Sequence, residues 1–495
     1  MRCHRTEPLT ASRIDGGPNG LGSSALLLVA VVTACEFLRD DGGDDGEHER
    51  EHDEAEDVRA AFVVELELVF SPLVGFRRFL AAGFLGGPEV LRTDVDGGLY
   101  LAVVEVGFED SHTRTVGVRG VIRYGRRGVF RGVHTDPSMS QRMDEKRREF
   151  LDALLDTASP SGYETPAQRV WVEYVEQFAD EVHTDAYGNA VATYHGGDGP
   201  EFAFTGHADE IGYTVAKVND DGYLHIAPIG GSDKSVSKGR HVVVHTDDGP
   251  VNGVIGQTAI HLRDPQENEY DDITEMTVDV GADDEDEARD LVSVGDPITV
   301  AESVHDLAGH KVAARGLDNR VGVWVAAEAL RRAAERGVDS TVHAVSTVQE
   351  EVGVQGAKMV GYDLHPDAAV AVDVTHASDS PEFPGNAHNE ISLSDGPVVS
   401  RGSANHPNLV AATRDAADAE EIDVQLQAAG IRTGTDADAF YTSRGGIPSL
   451  NIGLPNRYMH TPAEVVDLRD LDAAADLLAA LADREAGRDG FAVDL

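Results

Sequence analysis

From residue 143 onward, short apolar runs alternate with stretches whose apolar residues recur at the spacing of a helix. Apolar runs of strand length occur at 201–205 (EFAFT), 341–348 (TVHAVSTV), 368–374 (AAVAVDV) and 448–454 (PSLNIGL). Helices are predicted over 320–336, 436–444 and 471–484. A further amphipathic helix before Pro160 has an apolar face of Phe150, Leu151, Leu154 and Leu155. Strands that alternate with helices predict an α/β fold.

The chain changes character between residues 211 and 307. Strand-like segments are separated there by turn pairs, among them Asp221-Gly222, Gly230-Gly231 and Asp248-Gly249. We interpret 211–307 as a small β-rich domain inserted into an α/β domain that comprises 143–210 and 308–495.

The first 142 residues contain no motif that we can assign. Their long apolar run, 24–35 (SALLLVAVVTAC), is too short for a membrane-spanning helix, which needs about 20 residues. It resembles the hydrophobic part of a signal peptide, although Glu7 and Asp15 dilute the positive flank. An acidic stretch (40–57) and strand-like runs (61–133) follow. We treat 1–142 as an N-terminal extension of doubtful status. It is either a mis-assigned start before Met139 or Met143, a disordered or exported leader, or an additional domain.

Charge restricts the class of protein further. The 495 residues include 41 Lys+Arg and 88 Asp+Glu, a net charge of −47, of which −40 falls on residues 143–495. Nucleic acids and anionic membranes are not expected partners, because both bind clustered Lys and Arg. The two cysteines, Cys3 and Cys35, exclude a disulfide scaffold. An acid-rich chain with six lysines is typical of a cytoplasmic protein of a halophilic archaeon, in which salt screens the self-repulsion. An acidic mesophilic protein is the alternative.

Residues able to bind metal occur where the predicted strands end and where a predicted helix begins. The set consists of His207, Asp209, Asp318, Glu350, Glu351, Asp373 and His460. Functional side chains of α/β sheets gather just past the carboxyl ends of strands, so we expect these residues to lie together. Imidazoles and carboxylates without a thiolate suit zinc, manganese or cobalt, and five such ligands with a bridging carboxylate suit two ions.

Each position has a simpler explanation when it is taken alone. Asp318 could cap the helix that follows it, Asp373 could belong to a turn, and Glu-Glu pairs are common on surfaces. Asp436 lies outside this set, and we interpret it as the cap of the helix that follows it. The order along the chain, His-x-Asp, Asp, Glu-Glu, Asp, His, favours the metal site over these separate explanations.

Several segments resemble the family 42 metallopeptidases, the tetrahedral (TET) aminopeptidases, also known as glutamyl aminopeptidases or by the older name endoglucanases. The segments are GHADEIGYTV (206–215), GLDNRVGVWVAAEAL (316–330), TVQEEVGVQGAK (347–358), AVDVT (371–375), RTGTDADAF (432–440) and PNRYMHTPAEVVDLRDL (455–471). The resemblance extends from about residue 143 to the C-terminus and leaves out 1–142. It implies a three-layer domain like that of the zinc exopeptidases, with a central mixed sheet.

The resemblance also implies a role for each matching residue. Two divalent ions per subunit are expected, zinc first, with cobalt or manganese as alternatives. The implied ligands are His207 and Asp373 for the first ion, Asp318 for both ions, and Glu351 and His460 for the second. The implied catalytic residues are Glu350 as general base and Asp209, which orients His207.

The expected activity is release of N-terminal residues from peptides by metal-activated water. By resemblance, the inserted domain mediates dimerisation, and dimers assemble into a dodecamer. A related zinc carboxypeptidase or amino-acid deacylase is the first alternative. A glycoside hydrolase, which needs two carboxyl groups and no metal, is the second, and a non-catalytic acidic scaffold is the third.

Overall fold

The computed structural model describes residues 143–495, except 264–269, 382 and 384–389, and the backbone of strands within the first 142 residues. The chain divides into two compact units, Met1–Thr135 and Asp136–Leu495. In the described part of the chain, no helix combines the length and the apolar character needed to cross a membrane.

The first unit contains antiparallel strands. They are β1 (Arg2–Arg5), β2 (Leu9–Thr10), β3 (Leu27–Glu36), β4 (Ala61–Val69), β5 (Arg77–Phe84), β6 (Glu89–Val95), β7 (Gly98–Phe108) and β8 (Val116–Arg119). Strands β1 to β5 form one sheet, and β6 to β8 form another. Most of the apolar run 24–35 lies in β3. The acidic stretch 40–57 and Met139 lie outside the described residues.

The second unit contains the helices. They are α1 (Glu145–Asp156), α2 (Thr165–Val175), α3 (Lys234–Ser237), α4 (Glu285–Leu291), α5 (Leu317–Arg336), α6 (Gln355–Asp363), α7 (Pro407–Ala419), α8 (Ala437–Phe440) and α9 (Leu468–Arg484), with 3-10 turns at Ile260–Leu262 and Ile273–Glu275. Helix α1 buries the four apolar residues predicted for its inner face.

Seventeen strands of the described part follow in the second unit. They are β9 (Glu181–Thr184), β10 (Ala190–Tyr194), β11 (Glu201–His207), β12 (Gly212–Val218), β13 (Leu224–Ile229), β14 (His241–Thr246), β15 (Gly249–Ile255), β16 (Thr277–Asp279), β17 (Pro297–Val300), β18 (His305–Asp306), β19 (Lys311–Ala314), β20 (Thr341–Thr347), β21 (Ala368–His376), β22 (Val398–Arg401), β23 (Gln425–Ala428), β24 (Ser449–Asn456) and β25 (Glu464–Asp467). The four strands predicted from apolar runs correspond to β11, β20, β21 and β24.

An eight-stranded mixed sheet forms the centre of the second unit, in the order β23-β22-β24-β21-β11-β20-β10-β9. Its middle strands β20, β11, β21 and β24 run parallel, and β10 and β22 pair antiparallel with them. Consecutive strand residues point to opposite faces of a sheet. Phe202 and Phe204 accordingly join the core under α5 and α9, whereas Ala203 joins a second core with α6 and α8. This arrangement confirms the predicted α/β fold with a central mixed sheet.

A closed barrel lies within the segment that the sequence marks as β-rich. Its strands follow the order β12-β13-β16-β15-β14-β17 and enclose a separate apolar core that includes Val215, Leu224, Ile226 and Ile298. The chain leaves the central sheet just after β11 and returns to it through α5. The barrel therefore begins and ends beside the carboxyl edge of the sheet, where the predicted site residues lie.

One predicted helix is much shorter than expected. The prediction covers 436–444, but α8 ends at Phe440. Arg444 adopts a left-handed backbone conformation (φ 52°), and Gly446 does so as well (φ 103°). A helix cannot continue through such residues, because its backbone needs negative φ throughout.

Candidate metal centre

The carboxyl ends of the parallel strands bring the predicted residues together. His207 is the last residue of β11, and its register partner on β20 is Thr347. Glu350 and Glu351 lie in the turn that follows β20, and Asp373 lies near the end of β21. Buried apolar positions align these strands in parallel, so their ends share one edge of the sheet.

The first cluster consists of His207, Asp318 and Asp373, which are all buried. The Nε2 atom of His207 lies 3.2 Å from Oδ1 of Asp318 and 3.7 Å from Oδ1 of Asp373. One ligand atom from each residue lies within 4.8 Å of the others. An imidazole nitrogen and two carboxylate oxygens at this spacing can bind one divalent ion.

The second cluster consists of Asp318, Glu351 and His460. The Nε2 atom of His460 lies 3.3 Å from Oδ2 of Asp318 and 3.9 Å from Oε1 of Glu351. Asp318 therefore belongs to both clusters, and its two oxygens face different histidines: Oδ1 faces His207 and Oδ2 faces His460. This is the arrangement of a carboxylate that bridges two ions.

Both histidines are held through their other ring nitrogen. Nδ1 of His207 lies 3.3 Å from Oδ1 of Asp209, and Nδ1 of His460 lies 3.1 Å from the carbonyl oxygen of Gly231 in the barrel. Metal-binding histidines commonly donate their second N–H in this way, which fixes the ring orientation and leaves Nε2 for the ion.

Negative charge dominates this part of the molecule. Burial and the charge of Asp373 raise the pKa of Glu350 to about 10, and burial and the charge of Asp318 raise the pKa of Glu351 to about 8. The hydrogen bond to Asp318 raises the pKa of His460 to about 9. If all of these carboxyl groups were ionised, their negative charge would exceed what the two imidazoles can balance. Divalent cations would neutralise this excess, so the donor set fits the expected metals in charge as well as in chemistry.

Glu350 lies beside the two clusters without belonging to either. Its Oε2 atom is 3.8 Å from Nε2 of His207. Together with His207, Asp373, Gln427 and Arg432 it lines a cavity of about 680 Å³. A carboxylate in this position faces the space where a substrate would meet the metals.

Comparison with known proteins identifies the family. A sequence profile of the M42 glutamyl aminopeptidase family matches residues 188–477. The chain belongs to this family. The lysyl aminopeptidase of Pyrococcus furiosus is 32% identical over 337 residues, which cover 67% of this chain and 96% of that protein.

Solved structures of the M42 family agree with the fold. The TET aminopeptidase of the marine sediment archaeon Thaumarchaeota archaeon SCGC AB-539-E09 has a TM-score of 0.65 at 32% identity, covering 69% of this chain and 97% of that one. The TET1 peptidase of Pyrococcus horikoshii, which can assemble into a tetrahedron or a large octahedral shell, has a TM-score of 0.60 at 30% identity, covering 68% of this chain and 99% of that one.

Membership of the M42 family makes the chain a metal-dependent aminopeptidase, a hydrolase of peptide bonds. This decides against the glycoside hydrolase and the non-catalytic scaffold that the sequence left open. Within this M42 enzyme, all seven residues expected at the site lie at one edge of the sheet. The role of each residue there stays a prediction.

Asp209 contacts more of the site than the sequence suggests. Besides facing His207, its carboxylate accepts hydrogen bonds from the backbone N–H groups of Glu350 (2.9 Å) and Glu351 (3.1 Å) and from Ser161 Oγ (2.6 Å). Burial alone would raise the pKa of the Asp209 carboxyl, but His207, Ser161 and the N–H of Glu350 hold it below its usual value. A single ionised group thus fixes a histidine and the turn that bears two glutamates.

Two further buried carboxylates lie in this M42 site: sequence reasoning missed Glu464 and interpreted Asp436 as a helix cap. Glu464 accepts hydrogen bonds from the backbone N–H groups of Asp318 and His460. Asp436 accepts a 2.6 Å hydrogen bond from Thr347 Oγ1 at the end of β20. Asp436 stands at the start of α8, but its side chain does not make the capping bond expected there. The only signal for Glu464 is its place in the segment His-Thr-Pro-Ala-Glu, four residues after His460.

Proposed function

We propose that this chain is a dinuclear metal aminopeptidase that releases N-terminal residues from peptides. The observation that carries the proposal is the position of Asp318, whose two oxygens face His207 and His460 at 3.2 and 3.3 Å. His207, Asp318 and Asp373 would hold one divalent ion, and Asp318, Glu351 and His460 would hold the other. Zinc is the first candidate, with cobalt or manganese as alternatives, since the ligands are nitrogen and oxygen atoms only.

Glu350 is the general base in this proposal. Bound divalent ions supply polarisation of the scissile carbonyl and lower the pKa of a water molecule. The Glu350 carboxylate takes a proton from that water as the water oxygen bonds to the carbonyl carbon. Glu350 then gives the proton to the leaving nitrogen as the C–N bond breaks, so that a free amino acid and a shortened peptide result.

Asp209 keeps the reacting groups in place. Its contacts with His207 and with the N–H groups of Glu350 and Glu351 link the first ligand cluster to the base. The acidic walls of the cavity attract the free α-ammonium group of a peptide, which favours substrates with an unblocked N-terminus.

The proposal extends to assembly and environment. We infer that 211–307 is the dimerisation domain and that dimers form a larger closed shell, as the TET1 peptidase of Pyrococcus horikoshii can assemble into a tetrahedron. The net charge of −40 on residues 143–495 supports adaptation to concentrated salt, as in haloarchaeal proteins.

Metal removal and blocked substrates test this function. The full-length protein in high salt should hydrolyse aminoacyl p-nitroanilides, lose this activity after dialysis against EDTA, and regain it with zinc, cobalt or manganese. N-acetylated anilides and N-acyl amino acids should not react. Activity on N-acyl amino acids alone would instead identify a deacylase. Undiminished activity in a sample shown by elemental analysis to be metal-free would refute the metal mechanism.

A further inference from the structure

We propose that Glu464 is a positioning residue that holds two of the three ligands of the second cluster, Asp318 and His460, and thereby sets the affinity of that cluster for its ion. The inference rests on the proposed dinuclear function. It concerns a residue that is not part of the lining of the 680 Å³ cavity and that bonds to the main chain of two ligands.

Glu464 divides its two oxygens between two ligand-bearing segments. Its Oε2 accepts the N–H of Asp318 at 3.0 Å, and its Oε1 accepts the N–H of His460 at 2.9 Å. The residue is 2% exposed. It begins β25, where its register partner is Ala314 on β19. The carboxylate is therefore anchored by a strand ladder and joins the start of α5 to the loop after β24.

Neither Asp318 nor His460 has a regular backbone that could hold it without Glu464. Asp318 (φ −76°, ψ 104°) departs from helical geometry although it lies in the first turn of α5. His460 has a φ of 62°, in the left-handed region that side chains other than glycine rarely adopt. A buried N–H group without an acceptor is costly, so loss of the Glu464 carboxylate would release both segments.

The first cluster shares Asp318 with the second, but its other two ligands do not depend on Glu464. His207 and Asp373 lie on β11 and β21, whose ladders fix their backbone. Glu351 and His460 lie in connecting segments and use main-chain hydrogen bonds to buried carboxylates, Glu351 to Asp209 and His460 to Glu464. A change at Glu464 should therefore weaken binding of the second ion before that of the first.

The test compares Glu464→Gln with Asp470→Asn. Gln has the size of Glu, but its NH₂ group would oppose one of the two N–H donors. Asp470 is a matched control: it is also buried and accepts two backbone N–H groups, from Ser394 at 2.8 Å and Gly396 at 3.0 Å, among residues outside both clusters. The measurement is zinc bound per subunit of the full-length protein across a series of buffered free-zinc concentrations, without reference to activity.

We expect the wild type and Asp470→Asn to bind two ions with the same two affinities. Glu464→Gln should bind the first ion within about twofold of wild type and the second at least about 10-fold more weakly, as is typical when the group that orients a metal ligand is lost. If Glu464→Gln does not fold, Glu464→Asp takes its place, because its shorter carboxylate cannot reach both donors. The same selective loss of affinity is expected.

Three results would count against these ideas, and they can be told apart. A wild type that binds fewer than two ions contradicts the dinuclear function itself. Two ions bound by the wild type and by the folded Glu464 variant with equal affinities overturn the role of Glu464 alone. If Asp470→Asn loses the second ion to the same extent, the effect is due to general destabilisation. That result also overturns the role of Glu464.

Discussion

Two buried carboxylates hold the main chain of the site residues from different parts of the fold. Asp209 accepts the N–H groups of Glu350 and Glu351, and Glu464 accepts those of Asp318 and His460. The resemblance to the metallopeptidase family implied that Asp209 orients His207, but it gave no sign of the bonds to Glu350 and Glu351. The sequence could not predict Glu464, because a hydrogen bond to a backbone N–H leaves no complementary side chain in the sequence.

Replacement of Glu350, the proposed general base, tests the proposed chemistry directly. Glu350→Gln should lower kcat by about 10²- to 10⁴-fold, because an amide cannot accept the proton of the attacking water. The metal content should stay at the wild-type value, since Glu350 belongs to neither ligand cluster. Steady-state kinetics and elemental analysis of the same sample provide the two measurements.

The adjacent residue supplies the control for this variant. Glu351→Gln makes the same chemical change one position later but removes a proposed ligand, so its metal content should fall together with its activity. If Glu350→Gln turned over substrate at the wild-type rate, its assignment as the base would be wrong.

At the scale of elements, the apolar runs were enough to predict the strands that carry the site, but not how closely a helix packs on them. A Cβ atom on Gly206 of β11 would overlap the carbonyl carbon of Gly322 in α5. This close approach brings Asp318, at the start of α5, up to His207. Glycines in a strand and in a helix indicate weak elements when each is considered alone, so their joint role is visible only in three dimensions.

Gly206→Ala tests this packing. The added methyl would push α5 away from β11 and separate Asp318 from His207. We expect the free energy of unfolding to fall by about 1–3 kcal/mol, as in other overpacked cores, and metal affinity to fall with it. Gly445→Ala is the control, because a Cβ there meets nothing within 4 Å. Urea unfolding measures both variants, and equal stability of the two would contradict the packing argument.

The start of α9 gives a prediction about pH. Asp467 caps this helix by accepting the N–H of Arg469, and its carboxylate also contacts Ser394, Lys311 and the Arg469 guanidinium. Although burial opposes it, the contacts with Arg469 and Ser394 hold the pKa of Asp467 well below its usual value. Because the pKa is lower in the folded state, the charge stabilises the fold above about pH 4, and this contribution is lost as the pH falls toward the folded-state value.

Asp467→Asn should therefore lower the free energy of unfolding by about 1–3 kcal/mol at pH 7, with a smaller difference from wild type below about pH 4. Asn can still cap the helix, so the variant isolates the charge. Asp483→Asn, at an exposed position of the same helix, should have little effect at either pH. If the difference in free energy of unfolding between wild type and Asp467→Asn grew as the pH fell, the prediction would be wrong.

At the scale of the molecule, the barrel and the central sheet share one site. The turn pairs between 211 and 307 were enough to predict a β-rich insertion, and a closed barrel lies there. Its contribution to the site could not be predicted, because the carbonyl of Gly231, not a side chain, contacts His460. The domain boundaries and the role of the barrel in dimerisation stay predictions.

The charge of the whole chain leads to a prediction about salt. Residues 143–495 carry a net charge of −40, and the folded state brings these charges closer together than the unfolded chain does. Added salt shortens the Debye length from about 10 Å at 0.1 M to about 3 Å at 1 M. KCl should therefore stabilise the fold most steeply below about 1 M. We expect the free energy of unfolding to rise by several kcal/mol over that range, on the order of a third of the total of about 5–15 kcal/mol typical of folded proteins. Urea, which is uncharged, allows unfolding to be measured at each salt concentration.

A neutral osmolyte separates screening from a general effect of solutes. Trimethylamine N-oxide stabilises folded proteins by exclusion from their surface, and this effect grows steadily with concentration without any screening of charge. If self-repulsion destabilises the fold at low salt, KCl should raise the free energy of unfolding until the gain levels off near 1 M. The osmolyte should raise it gradually, without that early step. A stability that does not change between 0.1 and 1 M KCl would mean that the acidic surface is not an adaptation to salt. The excess carboxylates would then need another explanation, because only a few of them lie at the metal centre.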